Sequence, residues 1–515
     1  MGHISTLPTE LLVSVFLDVR DECPTTWLRV LSVCRTWYEI ACSAAPLWSK
    51  LTFDGRCDIN LFRTYLHRSE NAKLKLSLDI HAVEGDSLLD IVHQHSTQLR
   101  VLSVVFSPAQ TGLLQQRLDD PGFSQLITDL ELHCLTAEAP RMFLRPLALR
   151  SLRSLLATQV LPRSGAGSTF DTVTRLKLVQ IWHVVPAEDQ SPDGYDILPV
   201  IGKFPALGSL VLRDALPPFL GNTTVDQVSL PLLRTLEVNE TIEDIKFLLQ
   251  HLVLPASAHI SVVARVADAM WEAANDGTFL SILPENREVT LPMIHHSTAL
   301  RLFAGHTEHG ALALAGDYDA TTLLDDPAWC IVLPDCGDVL HESTCAALEE
   351  LSQIVPPSGL THLELHVAPR VLLFDVDWMA VLGPLHRVRN MVVGSRWAAE
   401  GLVMALYRHP VLLPDLQVLE LCLEELLPDT LEGPLPPPDP EIPPRAIKKV
   451  VIVQGDDAKV PYLAGTTLGS MISASEYDFK HSSCSACHVI PSNQPELDGD
   501  DSSNESDGSM KRTMR

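Results

Sequence analysis

A chain of 515 residues with 38 Lys+Arg against 65 Asp+Glu, a formal charge of 38 − 65 = −27, is too long for one ordinary core and too acidic to favour nucleic acid or anionic lipid as a partner. Its 46% hydrophobic and 20% charged residues exclude global disorder, because burial can offset the entropy of ordering. The apolar stretch of the first twenty residues is broken by Glu10, Asp18 and Arg20, there is no membrane-length apolar run, and eleven scattered Cys make no disulfide framework, so the sequence predicts a folded protein of the cytosol or nucleus.

Residues 7–20, LPTELLVSVFLDVR, place Leu11, Leu12, Val15, Phe16 and Val19 on one helical stripe. Pro8 suits a first turn that needs no amide donor, and Glu10 sits at the positive end of the macrodipole. A second helix is predicted from about Thr26 to Leu31, and a third from about Cys34 to Ala44 with Trp37, Ile40 and Ala41 at i, i+3, i+4. Three helices of this size bury little alone, so their apolar residues complete a core with a partner or with the rest of the chain.

In chain order, Leu7-Pro8-Thr9-Glu10-Leu11-Leu12, Val15-Phe16, Val33-Cys34-Arg35-Thr36-Trp37 and Pro46-Leu47-Trp48 resemble the successive signatures of the F-box, over residues 1–51. The stretch from Phe16 to Val33 is longer than that family's usual spacing, which leaves open the loop after the first helix and the presentation of the second. The resemblance implies docking on the Skp-type adaptor of a cullin–RING ubiquitin ligase, with the remainder of the chain recruiting a substrate protein. Carried onto the matching positions, Leu7, Pro8, Leu11, Leu12, Val15, Phe16, Val33, Cys34 and Trp37 form or support the adaptor-facing surface. The alternative is that these residues are the internal core of a helical cap, Trp37 and Trp48 above all. Periodicity alone does not separate the two, since an interface helix and a core helix share one stripe.

Beyond residue 70 the spacing L-x-x-L-x-L recurs with aliphatic residues at all three places, beginning at Leu99, Ile127, Val173, Leu207, Leu233, Leu360, Leu416 and Ile447. Weaker versions begin at Asn71, Ser257, Asn286 and Ala328. Each puts two apolar residues on the buried face of a short strand, and recurrence on this scale argues for stacked units sharing a core. Segments 88–95, 242–252, 345–354 and 398–409 have helical spacing. The predicted fold class is therefore α/β: a three-helix F-box, an irregular solenoid over residues 70–455 resembling leucine-rich repeats, and an acidic tail. The Asn or Cys that ordinarily follows such a repeat strand is missing, its places holding Ser107, Leu135, Ile181, Ala215, Thr241, Ala368 and Glu424. A generic α/β body with a mostly parallel sheet remains the alternative.

Period-two alternation assigns the opposite, solvent-facing column as Ser103, Glu131, Lys177, Val211, Glu237, Glu364, Glu420 and Val451. Its carboxylates Glu131, Glu237, Glu364 and Glu420, with Lys177 among them, are candidates for holding a substrate segment that carries Lys or Arg. A solvated face without a ligand is the competing reading.

Residues 433–444, GPLPPPDPEIPP, read as a proline-rich loop, and from about 481 the run PELDGDDSSNESDGS reads as a disordered acidic tail in which Ser502, Ser503 and Ser506 resemble sites of acidophilic kinases. Cys484, Cys487 and His488 have only His481 near them where zinc needs four ligands, and of the sparse group Cys330, Cys336, His341 and Cys345 the first lies in the apolar stretch WCIVL, where a buried structural Cys is commoner than a metal ligand, so neither metal nor cofactor is expected. No nucleophile elbow, phosphate loop or zinc-protease helix occurs, and His295-His296 and His306/His309 lack a partner at meaningful spacing. The expectation is a non-catalytic adaptor, with a binding scaffold outside any ligase as the alternative.

Overall fold

Alternation of apolar and polar residues along a short run turns one side of it inward, and the computed structural model gathers seventeen strands, most of them of this kind, into a single sheet. The structure describes residues 7–23, 26–55, 58–81, 85–135, 141–163, 167–181, 197–216, 226–265, 278–305, 312–323, 327–333, 340–368, 371, 373, 376–423, 446–454 and 473–481. The proline-rich loop, the acidic tail and the residues Cys336, Cys484, Cys487, His488, His306 and His309 lie outside them.

From Lys50–Phe53 the sheet grows in chain order through Leu74–Asp79, Leu99–Phe106, Asp129–Cys134, Ser154–Thr158, Arg175–Val179, Ser209–Arg213, Thr235–Thr241 and His259–Arg265, every neighbouring pair parallel. There the order reverses. Trp329–Leu333 lies beside His259–Arg265, then Leu312–Asp317 antiparallel to both its neighbours, then Ala299–Ala304. His362–Val367 pairs parallel with Ala299–Ala304, and Asn390–Val393, Val418–Leu423, Ala446–Gln454 and Ser473–His481 continue the parallel order. The molecule is thus mixed α/β, with N-terminal helices and a large sheet in which only Leu312–Asp317 runs against the rest.

All eight strong L-x-x-L-x-L segments lead into strands of this sheet, as do those at Asn71, Ser257 and Ala328. The segment at Asn286 does not: it forms the helical turns Arg287–Thr290 and Pro292–His295, because Pro292 cannot donate to a ladder and suits a helix N-terminus. Ile242–His251, Leu340–Ile354 and Arg396–Arg408 are helices where helical spacing was read, and Gly85–His93 covers most of the fourth such segment.

The inward residues stack in register. Leu102, Leu130, Leu155, Leu176, Leu210, Leu236 and Ile260 are consecutive partners, all but inaccessible to solvent. Burying a Leu stabilises by about 2 kcal/mol, so a register slip that exposed this row would be prohibitive. Strand entry also repeats: the carbonyls of Thr128, Arg153, Thr174 and Gly208 each accept two successive amides from the next unit, at 2.7–3.1 Å. After Ser209–Arg213 the neighbouring strand supplies a side chain to the exiting backbone: Glu240 Oε1 accepts the Ala215 amide at 2.6 Å.

Candidate adaptor-docking surface and the open sheet face

The N-terminal unit is built around Leu12, Phe16, Trp27, Val30, Ala41, Leu47 and Trp48. Helix α1, Thr9–Glu22, opens on the Pro8 carbonyl, which accepts the Leu11 and Leu12 amides at 3.1 and 3.2 Å. It runs two residues beyond the apolar pattern. The second predicted helix is a 3-10 helix, Trp27–Ser32, the form such short pieces commonly take. Helix α2, Arg35–Ser43, brings the Trp37 ring to 5.0 Å from Phe16, and Trp48 takes Trp27 edge-on at 5.2 Å while its indole donates to the Ala41 carbonyl at 2.8 Å.

This packing divides the nine adaptor-facing residues. Leu12 and Phe16 are buried and Trp37 is half-buried, so they hold the unit together. Leu7, Pro8, Leu11, Val15, Val33 and Cys34 are exposed, with Leu11 at 53% and Val33 at 59%. Four large aliphatic side chains in the open on so small a unit are uncommon unless something covers them. Tyr38, also exposed on α2, belongs with them by burial and carried no signal in the sequence beyond its place on the helix. Arg20 was equally silent: it is buried, donates to the Pro46 and Leu47 carbonyls at 2.7 and 3.4 Å and pairs with Asp21, tying α1 to the segment that leads into the sheet. A residue 26 positions from its acceptor leaves no periodic trace.

The unit is not a separate bead. Helix α3, Ile59–Arg68, packs Tyr65 against the Trp48 ring at 4.9 Å and lays the Arg68 guanidinium over it at 4.8 Å, and the Ser49 carbonyl accepts the Lys75 amide of the second strand at 2.7 Å.

On the open sheet face, the column read from the sequence stands in register. Ser103 is the partner of Glu131, Leu156 comes between Glu131 and Lys177, and Val211 and Glu237 follow. His133, whose Nε2 lies 4.0 Å from the Glu131 carboxylate, and Ser103 outweigh its partial burial and, with the Lys177 charge, hold its carboxyl below the usual range. Glu237 is exposed, with Arg213 3.7 Å away, and in the adjoining column Asp129 pairs with Arg175 at 2.8 Å. Glu420 is the register partner of Val451 and is half-buried.

Glu364 is different and corrects the expectation of a solvent-facing carboxylate. It is buried opposite Arg301, to which it is ion-paired, and accepts from His362 at 2.8 Å and His366 at 3.4 Å. The strand reversal causes this: the chain after Leu312–Asp317 folds over the face, Leu323 packs on Ala299 and Ala315, and its carbonyl takes the Arg301 Nη1 at 3.2 Å. Burial alone would raise the Glu364 carboxyl, but the hydrogen bonds from His362, His366 and Arg301 and the Arg301 charge overcome it and hold the carboxyl well below the usual range.

Among the described residues no cluster of three or more His, Cys, Asp or Glu has metal-binding geometry, and no helix is long and apolar enough to cross a membrane. Burial pushes the Cys330 thiol up to about 12, and His341 lies 4.0 Å from Cys345. His295 and His296 touch edge-on and His295 approaches Glu288 at 3.9 Å.

Residues 4–54 match the F-box-like family model, so the chain carries an F-box-like domain. No curated protein matches the chain.

Proposed function

We propose that this F-box protein is a non-catalytic substrate-recruiting subunit of a cullin–RING ubiquitin ligase, working in the cytosol or nucleus. The observation that carries the proposal is the exposed set Leu7, Leu11, Val15 and Val33, on a unit whose own core is already complete without them. F-box domains bind Skp-type adaptors, and an apolar helix face of this kind suits docking against a partner's helices. The strands and helices of the body, read as irregular units resembling leucine-rich repeats, would present the substrate. The mechanism is proximity: holding a substrate lysine near a charged ubiquitin carrier raises its effective concentration, with no group of this chain touching the reacting bonds.

The packing of Trp48 between the helical unit and α3 supports a fixed geometry between adaptor and body. The test is a pulldown of the full chain with purified Skp-type adaptor, beside Leu11→Asp/Val15→Asp, two exposed positions whose change leaves the core intact. Binding by the intact chain and its loss in the variant is the expected result. Equal capture of both, or of neither, overturns the adaptor role and leaves the helices as a cap on the body.

A further inference from the structure

The edge of the sheet where strands begin has a charge opposite to that of the chain. Along the repeating carbonyl ladder, successive entry residues are Arg100, Thr128, Arg153, Thr174, Gly208 and Arg234. Arg153 and Arg234 are exposed and Arg100 half-exposed, with Lys73 and Arg150 exposed beside them. None of these five cations has an ion pair among the described residues. Of the acids close to them in sequence, Asp129 is already taken by Arg175, and Glu70 and Asp171 are exposed. On a chain of net charge −27, such an edge stands out as a local positive field. Thr174 and Gly208, the entry residues between Arg153 and Arg234, are small.

We infer that this edge is a docking site for an acidic, extended segment of a partner protein. Arg100 and Arg153 are two strands apart and Arg153 and Arg234 three, about 10 and about 14 Å at ordinary strand spacing. An extended peptide advancing about 3.3 Å per residue reaches those spacings with acidic side chains three and four residues apart. Guanidinium groups suit carboxylate or phosphate by paired donors. The cations sit at strand entries, not in the last turns of helices, so compensation of helix dipoles does not account for them. The overall negative charge disfavours long nucleic acid, whose phosphates extend beyond the basic edge. This deepens the recruiting role above and rests on it for meaning, since the docked segment is then part of a substrate. It also redirects the sequence expectation: Glu131, Asp129 and Glu237 on the open face have cations of their own nearby, whereas the edge cations do not.

The experiment uses the full chain and a fluorescent Asp-Ser-Glu repeat peptide of about twelve residues, longer than the roughly eight that span the Arg100 to Arg234 interval. Its Asn-Ser-Gln counterpart and oligo-dT serve as comparison probes. Expected are binding of the acidic peptide that weakens with salt, at least a tenfold loss in Arg153→Glu/Arg234→Glu, and no change in Arg63→Glu on α3. Arg153→Gln/Arg234→Gln is the second variant should charge reversal disturb folding, and it is expected to weaken binding in the same direction. No binding of the acidic peptide, equal binding by all variants, or tighter binding of oligo-dT overturns the inference. Adaptor capture by the intact chain separates the two proposals: no capture there, with the acidic peptide still bound by the intact chain and lost in the variants, removes the ligase role and leaves the docking edge.

Discussion

Arg301 and Glu364 face each other on adjacent parallel strands, buried together, with the Arg301 Nη1 spent on the Leu323 carbonyl and the Glu364 oxygens on His362 and His366. The guanidinium also lies 5.5 Å from the centre of the Phe303 ring, which stacks on His366 at 5.3 Å. Removing one charge therefore strands the other.

Arg301→Met is expected to destabilise the body by about 3–5 kcal/mol, and Arg301→Met/Glu364→Leu by much less, since two apolar residues leave no uncompensated charge. Denaturant unfolding of the two variants beside the parent checks this. Equal losses would mean that the pair is not a unit.

Glu240 is held neutral: burial and the nearby Asp214 and Asp244 raise its carboxyl to about 8, against the opposing hydrogen bond from Ala215 and the Arg265 charge. Between the ordinary carboxyl range and pH 8 the folded chain binds a proton that the unfolded chain has released, so this group makes stability fall as pH rises through that window. Glu240→Gln keeps an acceptor for the Ala215 amide and is expected to flatten the decline. Melting curves from pH 5 to pH 9 for both proteins read it directly, and parallel curves would refute it.

Gly316 sits opposite Trp329 in the antiparallel pair, where a Cβ would come 2.3 Å from the buried indole. The ring is pinned by its hydrogen bond to Ser297 Oγ at 2.7 Å, so it cannot swing away freely. Gly316→Ala is expected to cost about 1–3 kcal/mol through overpacking. A drop in melting temperature with quenched or shifted tryptophan emission is the signature; an unchanged protein would show that the ring gives way.

Within the N-terminal unit, Phe16→Ala and Leu11→Ala are expected to separate stability from binding. Phe16 is fully buried against Trp37, and its truncation should cost about 3–5 kcal/mol. Leu11 is half-exposed, and its truncation should leave melting nearly unchanged while weakening adaptor capture. Similar melting of the two variants would count against the division of the stripe into core and surface.

Much of the architecture was legible because it is local. The L-x-x-L-x-L runs mark strands by period two, and consecutive units stack because none can bury its apolar face alone. Strands Ser154–Thr158, Asn390–Val393 and Ala299–Ala304 escaped that pattern. At the register of their neighbours the first two carry it as Leu152-x-x-Leu155-x-Ala157 and Val388-x-x-Met391-x-Val393, with a small residue or a Met in one place, and Ala299–Ala304 is buried on both sides and so shows no alternation.

The sequence by itself determined the helical stripe of residues 7–20, the motif order that marks the F-box, and the column through Glu131, Lys177 and Glu237, since each follows from spacing along one segment. Tertiary structure decided which apolar residues of the stripe are core and which are open, because burial depends on Trp37 and Trp48 arriving from elsewhere in the chain. It also decided the fate of Glu364. A carboxylate's environment is set by whatever packs across it, and here that is an arginine 63 residues away and a chain reversal that no periodicity announces.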